Sequence, residues 1–266
     1  GETDTDTVAA TVALRATRGI GNEGDLNGGV ETASEPDGGT LTLAARTDTG
    51  DIQIDNTGSL FIGTVDSLSG VEISNADGMA TGLDHILLIA ASPLTVDDPV
   101  ANHDGGNITL TAVDDGGSDD HLTLNADVTV TGGDADVDAD GNIDLDAGTD
   151  LIVNAAVSTD AGGKIDADAT RSIQMRFGSS ITTVDGGIAL RANQGARPVA
   201  GKFVGIDLTG ADVTSTNGDI LLEGRGGSSA AEDYLYGVYL HSGATVTSTG
   251  TTKADAGTIT INGTGG

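Results

Sequence analysis

The chain has no cysteine, so no disulfide staples it and no thiolate can serve as nucleophile or metal ligand. It has no tryptophan and only three tyrosines and three phenylalanines. That is too little aromatic volume to fill a broad globular core, and it points to a narrow one built of Ile, Leu, Val and Ala. Basic residues are scarce as well, 11 Lys and Arg against 41 acidic residues, for a net charge of −30. A field of that sign repels phosphate backbones and anionic lipid surfaces, which argues against nucleic-acid partners and makes cations the natural counterparts. No run approaches the roughly 18 apolar residues that span a bilayer, so direct membrane insertion is not expected. No basic, then apolar leader precedes Gly1. Because the chain does not start at Met, a processed chain or an excised segment is expected, and a secreted home stays open.

What is abundant is glycine, 42 residues, and aspartate, since only seven of the acidic residues are Glu. Both disfavour helix interiors, so an all-β chain is expected. The commonest unit is Gly, any residue, an aliphatic, a polar residue, then a second aliphatic or small residue. Examples are Gly50-Asp-Ile52-Gln-Ile54, Gly106-Asn-Ile108-Thr-Leu110, Gly141-Asn-Ile143-Asp-Leu145, Gly186-Gly-Ile188-Ala-Leu190 and Gly257-Thr-Ile259-Thr-Ile261. Each reads as a turn followed by a half-buried strand, with glycine supplying the backbone freedom of the corner.

The units recur at a nearly fixed period. The series Leu122, Ile143, Ile165 and Ile188 steps by 21, 22 and 23, and the series Val128, Leu151 and Ile173 by 23 and 22. Two interleaved series with one period predict a right-handed parallel β-helix with at least two sheet faces per coil. Toward the C-terminus the step lengthens: Ile173 to Ile206 is 33, Ile206 to Val238 is 32 and Ile188 to Ile220 is 32. The added residues fall near 193–203 and 225–236, which are polar, Gly-rich or charged and are expected to bulge as edge loops from one solenoid segment covering 1–266. The runs 204–215 and 238–248 match closely, as true internal repeats do. The stretch 257–266 shows neither a helix nor a polar cap, so the solenoid is expected to continue into another repeat or assemble end to end.

Strings such as Thr49-Gly-Asp-Ile-Gln-Ile-Asp-Asn-Thr-Gly58, Val65-Asp-Ser-Leu-Ser-Gly-Val71, Gly106-Asn-Ile-Thr-Leu-Thr-Ala112 and Asp150-Leu-Ile-Val-Asn-Ala155 resemble the tandem repeats of filamentous-haemagglutinin-like repetitive bacterial surface proteins over most of the chain. The resemblance implies export to the cell surface or extracellular matrix, a right-handed parallel β-helix, a role in adhesion or matrix, and no catalytic residue. The expected function is therefore a secreted structural stalk or self-assembling fibre, not an enzyme. Its partners are copies of itself end to end or neighbouring repeats. One alternative is an adhesin that binds glycans through the edge loops, and another is a polysaccharide-degrading β-helix.

Among candidate sites, Asp136-Val-Asp138-Ala-Asp140-Gly141 opens like a Ca²⁺ loop. The twelfth place is Ala147 rather than Glu and no helices flank it, so an EF-hand is excluded. An irregular Ca²⁺ turn made of Asp136, Asp138, Asp140 and Asp144 is the metal expectation. The pairs Asp97-Asp98, Asp114-Asp115 and Asp119-Asp120 read as plain solvated turns. His85, His103 and His121 are evenly spaced, each beside an Asp, and could align on one face. The cluster Tyr234, Tyr236 and Tyr239 is expected to stack against Phe203 in the matching coil.

Overall fold

A computed structural model describes residues 7–21, 30–33, 39–75, 84–117, 119–132, 141–160, 162–228, 235–251 and 256–266. Among them every regular element is a β-strand, and all but one of the strand pairings are parallel. A single coil shows the plan. Ser172–Met175, Ser180–Thr183 and Ile188–Ala192 form three short strands separated by corners. Each pairs in register with its equivalent one coil earlier and one coil later. The chain is therefore a parallel β-helix with three faces per coil, A (as in Ile188–Ala192), B (as in Ser172–Met175) and C (as in Ser180–Thr183). The right-handed crossover preference sets its hand.

The alternation seen in the sequence sets which side chains turn inward. On face A, Ile20, Ile52, Ile86, Ile108, Ile143, Ile165, Ile188, Ile220 and Ile259 stack directly on one another through the whole rod. Face B stacks Leu41, Leu60, Leu94, Leu122, Leu151, Ile173, Ile206 and Val238. Face C stacks Ala45, Val71, Val100, Val128, Val157, Ile181, Val213 and Val246. These columns meet in one continuous apolar core, in which each fully buried aliphatic contributes about 1.5–3 kcal/mol. Among the described residues this core holds no aromatic side chain and is filled by aliphatics.

Gly50, before the face-A residue Ile52, has the left-handed φ (+81°) that its turn reading implies, but most of the glycines before face-A strands have a different role. Of the column Gly106, Gly141, Gly163, Gly186, Gly218 and Gly257, none adopts a left-handed φ. Instead, a Cβ on Gly186 would lie 1.9 Å from the carbonyl oxygen of Gly163, one on Gly218 1.9 Å from that of Gly186, and one on Gly257 2.0 Å from that of Gly218. Corner backbones of successive coils pack in direct contact, which only hydrogen side chains permit. The residue just before each face-A isoleucine then ties the coils together. Asp51 Oδ1 accepts the His85 N–H (2.7 Å), His85 Nδ1 that of Asn107 (2.9 Å), Asn107 Oδ1 that of Asn142 (2.9 Å) and Asn142 Oδ1 that of Lys164 (2.9 Å). The ladder lapses at Lys164 and Gly187 and resumes where Asp219 Oδ1 accepts the Thr258 N–H at 2.6 Å. Across the same corner, buried Asn102, Thr159 and Thr183 donate to the carbonyls of Gly106, Gly163 and Gly186.

Two parts of the sequence reading change. Leu122 belongs to face B and Val128 to face C. Neither is in register with the series to which equal spacing assigns it, because Leu122 pairs with Leu151 rather than Ile143, and Val128 with Val157 rather than Leu151. Steps along the face-A column vary from 22 (Ile86 to Ile108) to 39 (Ile220 to Ile259), so a search for one constant period slides from one face to the next. Residues 193–203 lie between faces A and B. They are pinned by Asn193, which donates to the Val199 carbonyl (3.1 Å) and accepts its N–H (2.6 Å). Residues 225–228 and 235–236 of the second loop occupy the same corner one coil later.

Candidate functional site

Of the four residues expected to bind Ca²⁺, Asp136, Asp138 and Asp140 lie outside the described residues. Asp144 sits on the face-A strand Ile143–Ala147 with its side chain turned away from the core. The structure groups it differently: Asp144 is directly opposite Asp166, and Asp146 directly opposite Asp168, on adjacent coils. The next outward residue up the second column is Arg191, whose Nη1 lies 2.9 Å from Asp166 Oδ1 and 3.4 Å from Asp168 Oδ2. The signal for this array was the recurrence of Ile143-Asp-Leu-Asp146 as Ile165-Asp-Ala-Asp168 at the coil repeat, since in-register coils place equal positions side by side. Among the described residues, no three acidic or histidine side chains converge closely enough to hold a metal ion.

The array lies between two shallow depressions that share Arg191. One, of about 580 Å³, runs past Asp114, Asp146 and Asp168 and is walled by Gln194 and Arg197 of the edge loop. The other, of about 500 Å³, lies between Lys164, Asp166, Asp219 and Thr258. Burial, followed by the charges of Asp166 and Asp168, raises the Asp144 pKa above its ordinary 3.8. Burial, then Asp144 and Asp166, does the same to Asp146. Asp168 is also raised by burial, although Arg191 opposes the shift.

The consequence for stability has a definite sign. With native pKa values above 3.8, the folded chain holds protons that the unfolded chain has already released, so stability falls as pH rises through this window. It is regained as pH drops back toward the ordinary carboxylate value. Replacing Asp146 by Asn relieves like-charge repulsion worth about 0.5 kcal/mol. The melting temperature of Asp146→Asn at neutral pH is expected to exceed that of the parent, and the gap should close as the solution is acidified through the carboxylate range. A gap of constant size across the titration would show that the opposed carboxylates are not its source.

The three histidines do not align. His85 precedes a face-A strand, His103 follows a face-C strand and His121 precedes a face-B strand. His103 reaches Thr131 Oγ1 at 2.8 Å, and His121 Nδ1 meets Thr149 Oγ1 at 2.8 Å beside the buried Asp150. The aromatic cluster also differs from expectation. Tyr236 stacks on Tyr239 (4.8 Å between centroids) and Tyr239 on His241 (4.4 Å), all on one coil, while Phe203 covers Gly227 instead; Tyr234 is outside the described residues.

Fold and surface together define an acidic parallel β-helix whose outward face carries a stacked carboxylate array. Comparison with family models, with curated proteins and with solved structures found no match. Among the described residues, no helix is long and apolar enough to cross a membrane.

Proposed function

We propose that the chain is a structural segment of an extracellular stalk or fibre, of the filamentous-haemagglutinin-like kind, that lengthens by adding coils. One observation carries this reading. In the coil formed by Val238–His241, Thr245–Ser248 and Ile259–Thr264, the inward-facing Leu240, Ile259 and Ile261 are 37%, 41% and 47% exposed, whereas Leu208, Ile220 and Leu222 directly beneath them are 0–1% exposed. Among the described residues, no further coil pairs with the outer backbone edges of these strands. A surface of this kind is complementary to another coil of the same pattern, from a neighbouring repeat or a second copy. The acidic exterior fits the role, because it keeps long rods hydrated and apart laterally while the stacking surface of Leu240, Ile259 and Ile261 remains apolar.

Electron micrographs of the purified chain should show filaments many times longer than the roughly 40 Å that nine coils span at ~4.8 Å each. Ile259→Asp with Ile261→Asp places charge on the stacking surface and should leave single short rods. Short rods from the unaltered chain at every concentration would overturn assembly through this end.

A further inference from the structure

Residues 113–117 and 119–121 lie between face A of one coil and face B of the next. Their aspartates read in sequence as solvated, yet Asp120 is only 1% exposed and its Oδ2 has no hydrogen-bond partner. An unpaired buried carboxylate oxygen is costly, and the cost is met by a proton, a cation or a donor that compensates it. The surroundings narrow the choice. Asp120 Oδ1 and Asp115 Oδ1 lie 3.4 Å and 2.9 Å from one point, the place that a Cβ on Gly117 would occupy. Asp115 Oδ1 is itself drawn into the loop by the Gly117 N–H, at 2.8 Å. The next coil closes the other side: a Cβ on Gly148 would meet the Asp114 backbone N at 2.6 Å and Asp120 Cβ at 2.9 Å, and the Thr149 N–H donates to the Asp120 carbonyl at 2.7 Å. Oδ1 of Asp115 and Oδ1 of Asp120 thus face one point at Gly117, Gly148 packs closely against the other side of Asp120, and Asp120 Oδ2 is left unsatisfied.

We propose that Asp115 and Asp120 bind a hard divalent cation, Ca²⁺ by preference, with backbone carbonyls and water completing its shell. Oxygen-only donors select hard ions. A loop offering two carboxylates suits Ca²⁺, which accepts irregular shells of six to eight oxygens, better than Mg²⁺, which demands a tight octahedron. The ion joins consecutive coils at a corner where Gly148 passes directly over Asp120. It is distinct from the stacked carboxylates of face A, which Arg191 already partly neutralises.

The test is thermal unfolding after chelation, with Ca²⁺ restored to millimolar concentration and NaCl at matched ionic strength as the screening control. Ca²⁺ should raise the melting temperature of the unaltered chain by ~3 °C or more beyond the NaCl effect. Asp120→Asn keeps the side-chain shape but removes the charge. In chelator it should melt at or above the unaltered chain, because the bare anion is gone, and it should lose the Ca²⁺ response. Asp115→Ala should weaken that response. A full Ca²⁺ response retained by Asp120→Asn would place the ion elsewhere. No response beyond NaCl in the unaltered chain would mean that a proton or water, not a cation, satisfies Asp120. Either result overturns the proposal.

Discussion

Gly186→Ala is expected to destabilise the rod by about 3 kcal/mol, the upper end of what an added methyl costs in a packed interior. The new Cβ would sit 1.9 Å from the Gly163 carbonyl oxygen, 2.4 Å from its carbon and 2.6 Å from the Gly162 oxygen. All three are backbone atoms, so no side chain can swing aside. Relief requires the two coils to separate locally, which weakens the ladder on either side. Gly195 on the edge loop is the matched control, because no heavy atom lies within 4 Å of its Cβ position, and Gly195→Ala should change stability by less than about 0.5 kcal/mol. Urea unfolding of the two variants separates a contact role from a conformational one. If glycine mattered at 186 only through the flexibility it gives the unfolded chain, Gly186→Ala would stabilise rather than destabilise.

Arg171→Ala should be comparably damaging for an electrostatic reason. Asp150 begins a face-B strand with its side chain only 5% exposed. Arg171, one coil later, grips it with both ends of the guanidinium, Nε on Oδ1 at 2.7 Å and Nη2 on Oδ2, while Ser172 Oγ donates to Oδ1 at 3.2 Å. The same contact holds the Arg171 pKa above its usual value. Removing the guanidinium leaves a buried carboxylate with little compensation, at a cost of about 3 kcal/mol. Asp150→Asn combined with Arg171→Ala should recover much of that loss, because no buried charge is then stranded. A double variant as unstable as Arg171→Ala alone would show that the arginine acts by packing its stem. Because a solenoid can open coil by coil, hydrogen exchange at Leu151 and Ile173 reads the damage more directly than a global melt does.

Much of the fold was legible in the residues. Gly-x-Ile-x-aliphatic units announced half-buried parallel strands, and the runs at 204–215 and 238–248 stack as their match implies, Ile206 on Val238 and Val213 on Val246. What periodicity could not assign was the face of each strand. An insertion at one corner shifts every later spacing without altering register, and Leu122 and Val128 were misplaced for that reason. The reason for the glycines was also hidden, since contact between coils is a long-range fact that a local motif does not state. The surface was less legible still. Asp144 and Asp166 look like members of separate motifs until stacking sets them opposite each other. Asp120 looks like any turn aspartate until Gly148 of the next coil is found packed over it.

The coil-to-coil hydrogen bonds run along the rod, so tension on a fibre built this way is carried in series by successive interfaces. A series is as strong as its weakest member. Between the coil of Asp144 and Asp146 and the coil of Asp166 and Asp168, like charges oppose across the interface that the fold most needs to hold. At the next interface, from Lys164 to Gly187, the corner ladder lapses, and Arg191 supplies the cross-link in its place. Between the coils of Asp144 and Asp166 the protonation state of Asp144, Asp146 and Asp168 therefore changes the repulsion that the stacked strands must hold.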